Sequence, residues 1–315
     1  MHAKSRGPVD GGLPVIAPIW SLTLALTLQQ GADSIVARAK EAIRPLTNPA
    51  ALANAGYIPL AFGPVRDNTP FQGQHWLAPL AIVANQPVDL LHPTFVMYLP
   101  LGDSLVPVGV AYSRRVSQAT PPPTELAGTR AEWHEHVFCR DVPGEGRVLA
   151  DGVDDCRDRG GQPTPQQIAM VHTWTVPNPD GPYAHDNPSL PYIATGLKPP
   201  AHPTRDDRLF GVALGETYGA KLPAAHRIDR EATRAGTATA LAPHRSVLRA
   251  LVPQLVAAEK SGDQARFDAL RKSAVSAWND LLAEYRKLAP TPEIRKRLDI
   301  ELSQVLGEEG HRHGG

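Results

Sequence analysis

Thr94-Phe95-Val96-Met97-Tyr98-Leu99 and the run from Leu105 to Tyr112 flank the pair Gly102-Asp103. Two stretches rich in β-branched and aromatic residues around a glycine-containing turn read as a β-hairpin. Further along, Ala131 to Cys139 and Ile168 to Val176 have the same character, so residues from about 57 to 176 are expected to form strands. Helical signals lie on both sides. Ser34 can cap a run with Ile35, Val36, Ala39 and Ile43 on one stripe, and Asn48-Pro49 opens a short helix that Gly56 ends. Near the other end, Phe267, Leu270, Ala274, Trp278, Leu281, Tyr285 and Leu288 recur at spacings of three and four, the stripe of an amphipathic helix. Thr291-Pro292-Glu293 then starts another helix, with Ile294, Leu298 and Val305 facing inward. The expected class is α+β: an antiparallel sheet or small barrel, N-terminal helices, and a C-terminal helical segment.

Working outward gives boundaries. Residues 1–32 resemble a signal peptide, with Lys4 and Arg6 before an apolar run from Leu13 to Leu28 and a cleavage point after Ala32. The run is short for a membrane span, and an ordinary buried N-terminal segment is the alternative. Export would place the chain in the periplasm or outside the cell, with no membrane span in the mature part. Residues 33–210 read as a β-rich domain with its helices, 211–243 as a linker, and 244–315 as the helical segment, whose stripe could serve a homo-oligomer or pack on the body. Between 177 and 205 stand eight prolines, a long rigid loop of the kind that more often carries function than idles.

The chain of 315 residues has 32 prolines, about twice the usual share. Lys plus Arg equals Asp plus Glu at 32 each, so no basic face is implied, which argues against nucleic acid and anionic membrane as partners. Two cysteines, Cys139 and Cys156, enclose 16 residues. In an exported chain they read as one disulfide; a thiolate ligand role for Cys139, or two free thiols, are the alternatives.

Among twelve histidines, those in Glu132-Trp133-His134-Glu135-His136-Val137-Phe138 stand apart. On a strand, residues two apart share a face, so His134 and His136 can reach one ion while Trp133, Glu135 and Val137 face the other way. His172 lies in the apolar run Ile168-Ala169-Met170-Val171-His172-Thr173-Trp174, where an imidazole must be hydrogen-bonded or ligated, since leaving it unpaired costs about 1–3 kcal/mol. His75, beside Trp76 in what reads as a partly buried loop, is the fourth candidate ligand, and His185 in the proline-rich loop could close over the site. Imidazoles suit copper, zinc or iron. Glu135 or Asp141 could serve as a catalytic base if the local geometry turns one inward. The other reading is that these histidines are satisfied core residues.

Gly128, His134, Glu135 and His136 resemble the opening of the first cupin motif, where one strand carries two histidine ligands and a later strand a third, the place of His172. That resemblance implies a small antiparallel barrel binding iron, manganese, zinc, copper or nickel, with dioxygenase or isomerase chemistry common. It departs where the motif's glutamate would have to be Asp141 and where the second motif's Pro-x-Gly is missing, and it covers about 50 residues.

Gly102-Asp103-Ser104-Leu105 spells a hydrolase signature, but it sits in a turn and its Asp-x-x-His, Asp89 to His92, precedes it. The acidic group Asp151, Asp154, Asp155 and Asp158 lacks calcium-loop spacing and reads as a solvated turn. The functional expectation is an exported metalloenzyme acting on a small molecule by activating water or dioxygen. A non-catalytic metal carrier and a structural protein without metal are the alternatives.

Overall fold

The computed structural model describes residues 34–62, 65–66, 68–102, 104–116, 126, 133–143, 146–150 and 152–307. The apolar run from Leu13 to Leu28, most of the Gly128 end of the cupin-like motif, and the tail histidines His311 and His313 lie outside the described residues.

Helix α1 spans 34–43, so Ser34 is already helical. Helix α2 (Pro49–Asn54) begins as its sequence requires: Asn48 caps it by accepting from the Ala51 N–H at 2.9 Å, and Gly56 turns the chain away at φ 83°. There follow β1 (Ile58–Pro59), β2 (Ala61–Phe62), β3 (Val65–Arg66), β4 (Gln74–Leu77), α3 (Pro79–Ala84), β5 (Phe95–Leu101) and β6 (Ser104–Val116). After these come β7 (His134–Val142), β8 (Gly146–Ala150), α4 (Val153–Asp158) and β9 (Gln162–Trp174). Among the described residues, seven strands make one antiparallel sheet in the order β1-β4-β5-β6-β9-β7-β8, curled into a half-barrel, while β2 and β3 pair separately. The class is α+β, as the patterning implies.

The hairpin falls where Gly102-Asp103 puts it, with Leu101 opposite Ser104; Ser104 is exposed at the first position of β6. Residues 74–77, expected as loop, are instead a strand paired to β5. One face of the sheet carries Trp76, Val96, Tyr98, Val110, Tyr112 and Val171 and packs on α1, α2 and the turn between them through Ala39, Ile43, Leu46 and Leu52. Tyr98 anchors this layer, its hydroxyl donating to the Leu46 carbonyl at 2.5 Å.

The second half of the chain is helical: α5 (Leu190–Thr195), α6 (Arg205–Thr217), α7 (Pro223–Arg234), α8 (Ala242–Ser261), α9 (Gln264–Leu288) and α10 (Pro292–Leu306). Residues 211–243 are therefore no linker. Phe210 to Glu216 of α6 are all buried, and Phe210, Leu214 and Ile228 belong to one core with Trp278, Leu281, Tyr285 and Leu298. Gly211 and Gly215 lie inside α6 and serve close packing. A Cβ on Gly211 would stand 3.0 Å from the Phe71 ring, and one on Gly215 3.2 Å from the Ala220 carbonyl oxygen. Phe71 itself belongs to the helical core, so the helices pack directly on the chain entering β4.

One disulfide and two polar networks hold these layers. Cys139 and Cys156 are disulfide-bonded, tying β7 to α4, so Cys139 is no metal ligand. The acidic turn beside them is not simply solvated: Asp155 is buried and accepts from Arg159 at 3.1 Å and from Arg297 of α10 at 3.0 Å. Within the helices, Arg245 reaches Glu216 at 3.3 Å, Asp229 at 3.1 Å and the Tyr285 hydroxyl at 2.6 Å, and Tyr285 donates to Glu216 at 2.9 Å. Among the described residues, no helix is long and apolar enough to cross a membrane.

Candidate metal centre

Pairing register places four of the histidines on the sheet face opposite α1 and α2. His134 of β7 stands across from Met170 of β9, His136 across from Ile168, and His172 of β9 across from Ala111 of β6. His75 of β4 stands across from Met97 of β5, which in turn faces Gly109 of β6. Alternation does the sorting: Trp133 packs with the opposite-face cluster, and Glu135 is exposed.

His75 and His172 lie three strand steps apart, about 14 Å in a flat sheet at the usual strand spacing. Their ring centres are 5.6 Å apart. The sheet must therefore curl toward this face, which makes it the inner face of the half-barrel. Between them β6 contributes the small Gly109 and Ala111, while β5 contributes Met97 and Phe95 to the same face. A Cβ on Gly109 would come within 2.6 Å of the Met97 Cε and 2.9 Å of the Thr173 carbonyl oxygen.

His134 sits at the hub, with ring centres 4.8 Å to His136, 5.0 Å to His172 and 4.4 Å to His185. His185 comes from the proline-rich loop and lies 5.3 Å from His172 in a near-parallel stack of 18°. His172 is 1% exposed, His134 4% and His75 5%, while His136 is only partly buried. The structure thus brings together His75, His134, His136 and His172, and adds His185.

The loop after β9 is pinned at many points. The Trp174 indole N–H donates to the Ala184 carbonyl at 2.7 Å, the Asn178 amide to the Asp186 carbonyl at 2.9 Å, and the Asn187 N–H to the Phe71 carbonyl at 2.9 Å. His172 Nδ1 meets the His185 carbonyl oxygen at 2.5 Å. A carbonyl can only accept, so Nδ1 carries the proton and Nε2 keeps its lone pair, the tautomer that an outer hydrogen bond imposes on a ligating histidine. Burial, then the neighbouring His185 and His75, hold the His172 pKa well below the ordinary 6.5, so this ring is neutral near pH 7.

Two residues of this neighbourhood escaped the sequence reading. Asp186 stands 3.1 Å from His185 Nδ1, and the Gln72 side-chain amide donates to Asp186 at 2.9 Å. The adjacency of His185 and Asp186 was the available signal. Glu135 and Asp141, the candidate bases, are not brought to the cluster. Glu135 alternates to the outer side, and Asp141, at φ 59° in an irregular stretch of β7, is exposed beside Arg140 at 3.7 Å.

Among the described residues, no group of three or more His, Cys, Asp or Glu side chains is placed so that it could hold a metal ion as it stands. Comparison with protein-family models, with curated proteins and with solved structures finds no match to this chain, so the likeness to cupins rests on its own residues alone.

Proposed function

We propose that the inner face of the half-barrel binds a transition-metal ion through His134, His136 and His172, with His185 or His75 as a fourth ligand, and that the protein is a metal-dependent enzyme of an oxidising compartment. The observation that carries this reading is the spacing of the rings. An ion about 2.0–2.1 Å from each imidazole nitrogen lies roughly 3 Å from each ring centre, so four tetrahedral rings stand about 5 Å apart. The distances round His134 run from 4.4 to 5.0 Å. Binding would require the rings to turn about their side-chain torsions, of which the terminal one is soft for an imidazole.

An all-imidazole set suits copper or zinc; Glu135 and Asp141 lie away from the cluster, and Asp186 is already engaged by His185 and Gln72. When bound, such an ion supplies Lewis acidity toward water or, for copper, electron transfer to dioxygen. The protein's own contribution is to fix the His172 tautomer through the His185 carbonyl, to orient His185 through Asp186 and Gln72, and to exclude water with the pinned loop. The disulfide between Cys139 and Cys156 fits export. A non-catalytic carrier is the second reading, favoured by one observation: with five imidazoles at hand, the shell can be filled without leaving a position open.

Elemental analysis of the purified protein beside a His134→Ala/His136→Ala double variant tests the proposal. About one copper or zinc per chain is expected in the parent and none in the folded variant. No metal in either after reconstitution overturns it and leaves a structural protein. Adding azide to the cobalt-substituted protein separates the two metal readings: a changed visible spectrum signals an open position and an enzyme, an unchanged one a filled shell and a carrier.

A further inference from the structure

We propose that helix α3, at one end of the half-barrel, docks the protein on a phospholipid surface by inserting Leu80 and Val83 among the headgroups. The consecutive residues from Trp76 to Val88 carry no ionisable side chain, and α3 lies in their middle. Among the described residues, the most exposed large apolar side chains stand here, Leu80 at 83% and Val83 at 69%. Ile58, 52% exposed, adds to the same end, since it lies opposite Leu77, the last residue of β4. Single exposed apolar residues are ordinary, but a cluster of them on one rigid tip marks a contact surface.

The helix is held so that they face outward. Residues three apart share a helix face, so Leu80 and Val83 stand together. Ile82 points the other way and is buried with Phe95, Ile168 and Met170 of the sheet. Both ends of the helix are fixed. The Ala78 N–H donates to the Thr94 carbonyl at 2.9 Å, and Asn85 turns the chain away at φ 47°. The Asn85 side chain also accepts from the Arg115 N–H of β6 at 2.7 Å. The exposed pair is thus carried by a pinned element.

Two observations select lipid as the occupant. The first is size. A specific protein interface takes about 800 Å² and 20–30 residues from each partner, whereas this tip is one helix of six residues. A protruding pair of aliphatic side chains suits the fluid boundary of a bilayer, which needs no matching pocket and takes up an apolar helix face to a depth of about 5–10 Å. The second is charge. The bond to Asn85 sets Arg115 at the rim of the tip, exposed and, among the described residues, with no carboxylate paired to it. A guanidinium there meets the phosphate that every phospholipid headgroup carries. Asp89, just past the charge-free stretch, is already paired with His92 at 2.7 Å. The zero net charge of the chain gives no long-range pull, so the docking is short-range and rests on the apolar pair.

Flotation of the whole protein with vesicles of phosphatidylcholine, alone and mixed with phosphatidylglycerol, tests the proposal. The parent is expected to be half-bound at about 1 mM lipid, more weakly than through a single acyl chain at roughly 10⁴ M⁻¹. Leu80→Gln/Val83→Gln should lose about tenfold or more in affinity with an unchanged melting temperature, because both side chains are exposed. Arg115→Gln should lose about fivefold on the mixed vesicles, the worth of one cation near an anionic surface, and less on phosphatidylcholine alone. Parent and variants share one N-terminus, so the run from Leu13 to Leu28 contributes equally to all of them. A polarity-sensitive dye on Val83→Cys reads the contact locally and should shift to the blue when vesicles are added. A dye that does not shift at about 10 mM lipid, well above half-binding, or an affinity unmoved in the double variant overturns the proposal. So does a dimer in sedimentation velocity that the double variant abolishes while neither protein floats, for the tip would then meet a second copy. Metal content bears on none of these outcomes.

Discussion

The sheet and the helices each bury a cluster of polar side chains, and the two clusters are composed on opposite plans. Among the helices, unlike groups meet: the Arg245 guanidinium is shared by Glu216, Asp229 and the Tyr285 hydroxyl. Burial raises the pKa of Glu216 as the leading influence, and Lys221 and Arg245 oppose it. On the inner face of the half-barrel, like meets like, with imidazole rings 4.4 to 5.6 Å apart. The first arrangement neutralises itself and is complete as built. The second gathers side chains of one kind, and no guanidinium or ammonium among the described residues is paired into it. Burying polar groups is thus no guide to function until one asks whether the groups satisfy one another.

If that contrast holds, breaking the helical network should injure the fold most. Arg245→Met leaves Glu216 and Asp229 without their shared guanidinium, and loss of one partner from a buried ion network typically costs about 3–5 kcal/mol. Chemical denaturation should show a fall of that size, with no dependence on added metal. Next comes the covalent tie of the sheet half. Replacing Cys139 and Cys156 by alanine opens a crosslink of sequence separation 17, worth about 3 kcal/mol in the loop-entropy picture. A loss well under that in denaturation midpoints would mean that the contacts of Asp155 with Arg159 and Arg297 already hold α4 in place.

Much of this was legible in the chain, and the failures have physical causes. The Gly102-Asp103 hairpin and the α9 stripe are local signals, and local signals survive folding. Strand alternation gathered His134, His136 and His172 correctly, and it already pointed Glu135 outward. His75 looked like a loop residue because β4 is only four residues long, too short to declare a period. His185 was placed near the site but its partner Asp186 was not, since only the fold of the loop brings Gln72 to it. Residues 211–243 read as linker, yet they hold most of α6 and all of α7, whose buried faces become visible only against the helices that follow.

The sheet cluster should behave in the reverse way from the helical network. Without metal, His134→Ala/His136→Ala is expected to change stability by no more than about 1 kcal/mol, because removing both polar rings of a pair lacks the penalty of stranding a charge. Zinc or copper at about a hundredfold over its Kd should stabilise the parent by about 2.7 kcal/mol and leave the variant unmoved. Melting temperatures with and without metal measure this. Equal stabilisation of parent and variant would place the binding elsewhere and erase the contrast between the two halves.

The smallest effect probes whether helical charges are self-contained down to single caps. Asp207 accepts from the Thr204 N–H at 2.8 Å and its hydroxyl at 2.6 Å, and pairs with Arg271 at 2.9 Å. Burial is the largest influence and pushes its pKa up, but the Thr204 bonds and Arg271 together outweigh it, leaving the carboxyl below its ordinary 3.8. A carboxyl with a depressed folded pKa stabilises above the unfolded value and ceases to as pH falls through the folded one. Asp207→Asn should therefore cost about 1 kcal/mol at neutral pH, the usual worth of such a cap. The gap between parent and variant should close as pH drops below 3.8. A gap that persisted in acid would mean that the Asn amide disturbs packing at the start of α6, and that the carboxylate's charge was never what held it.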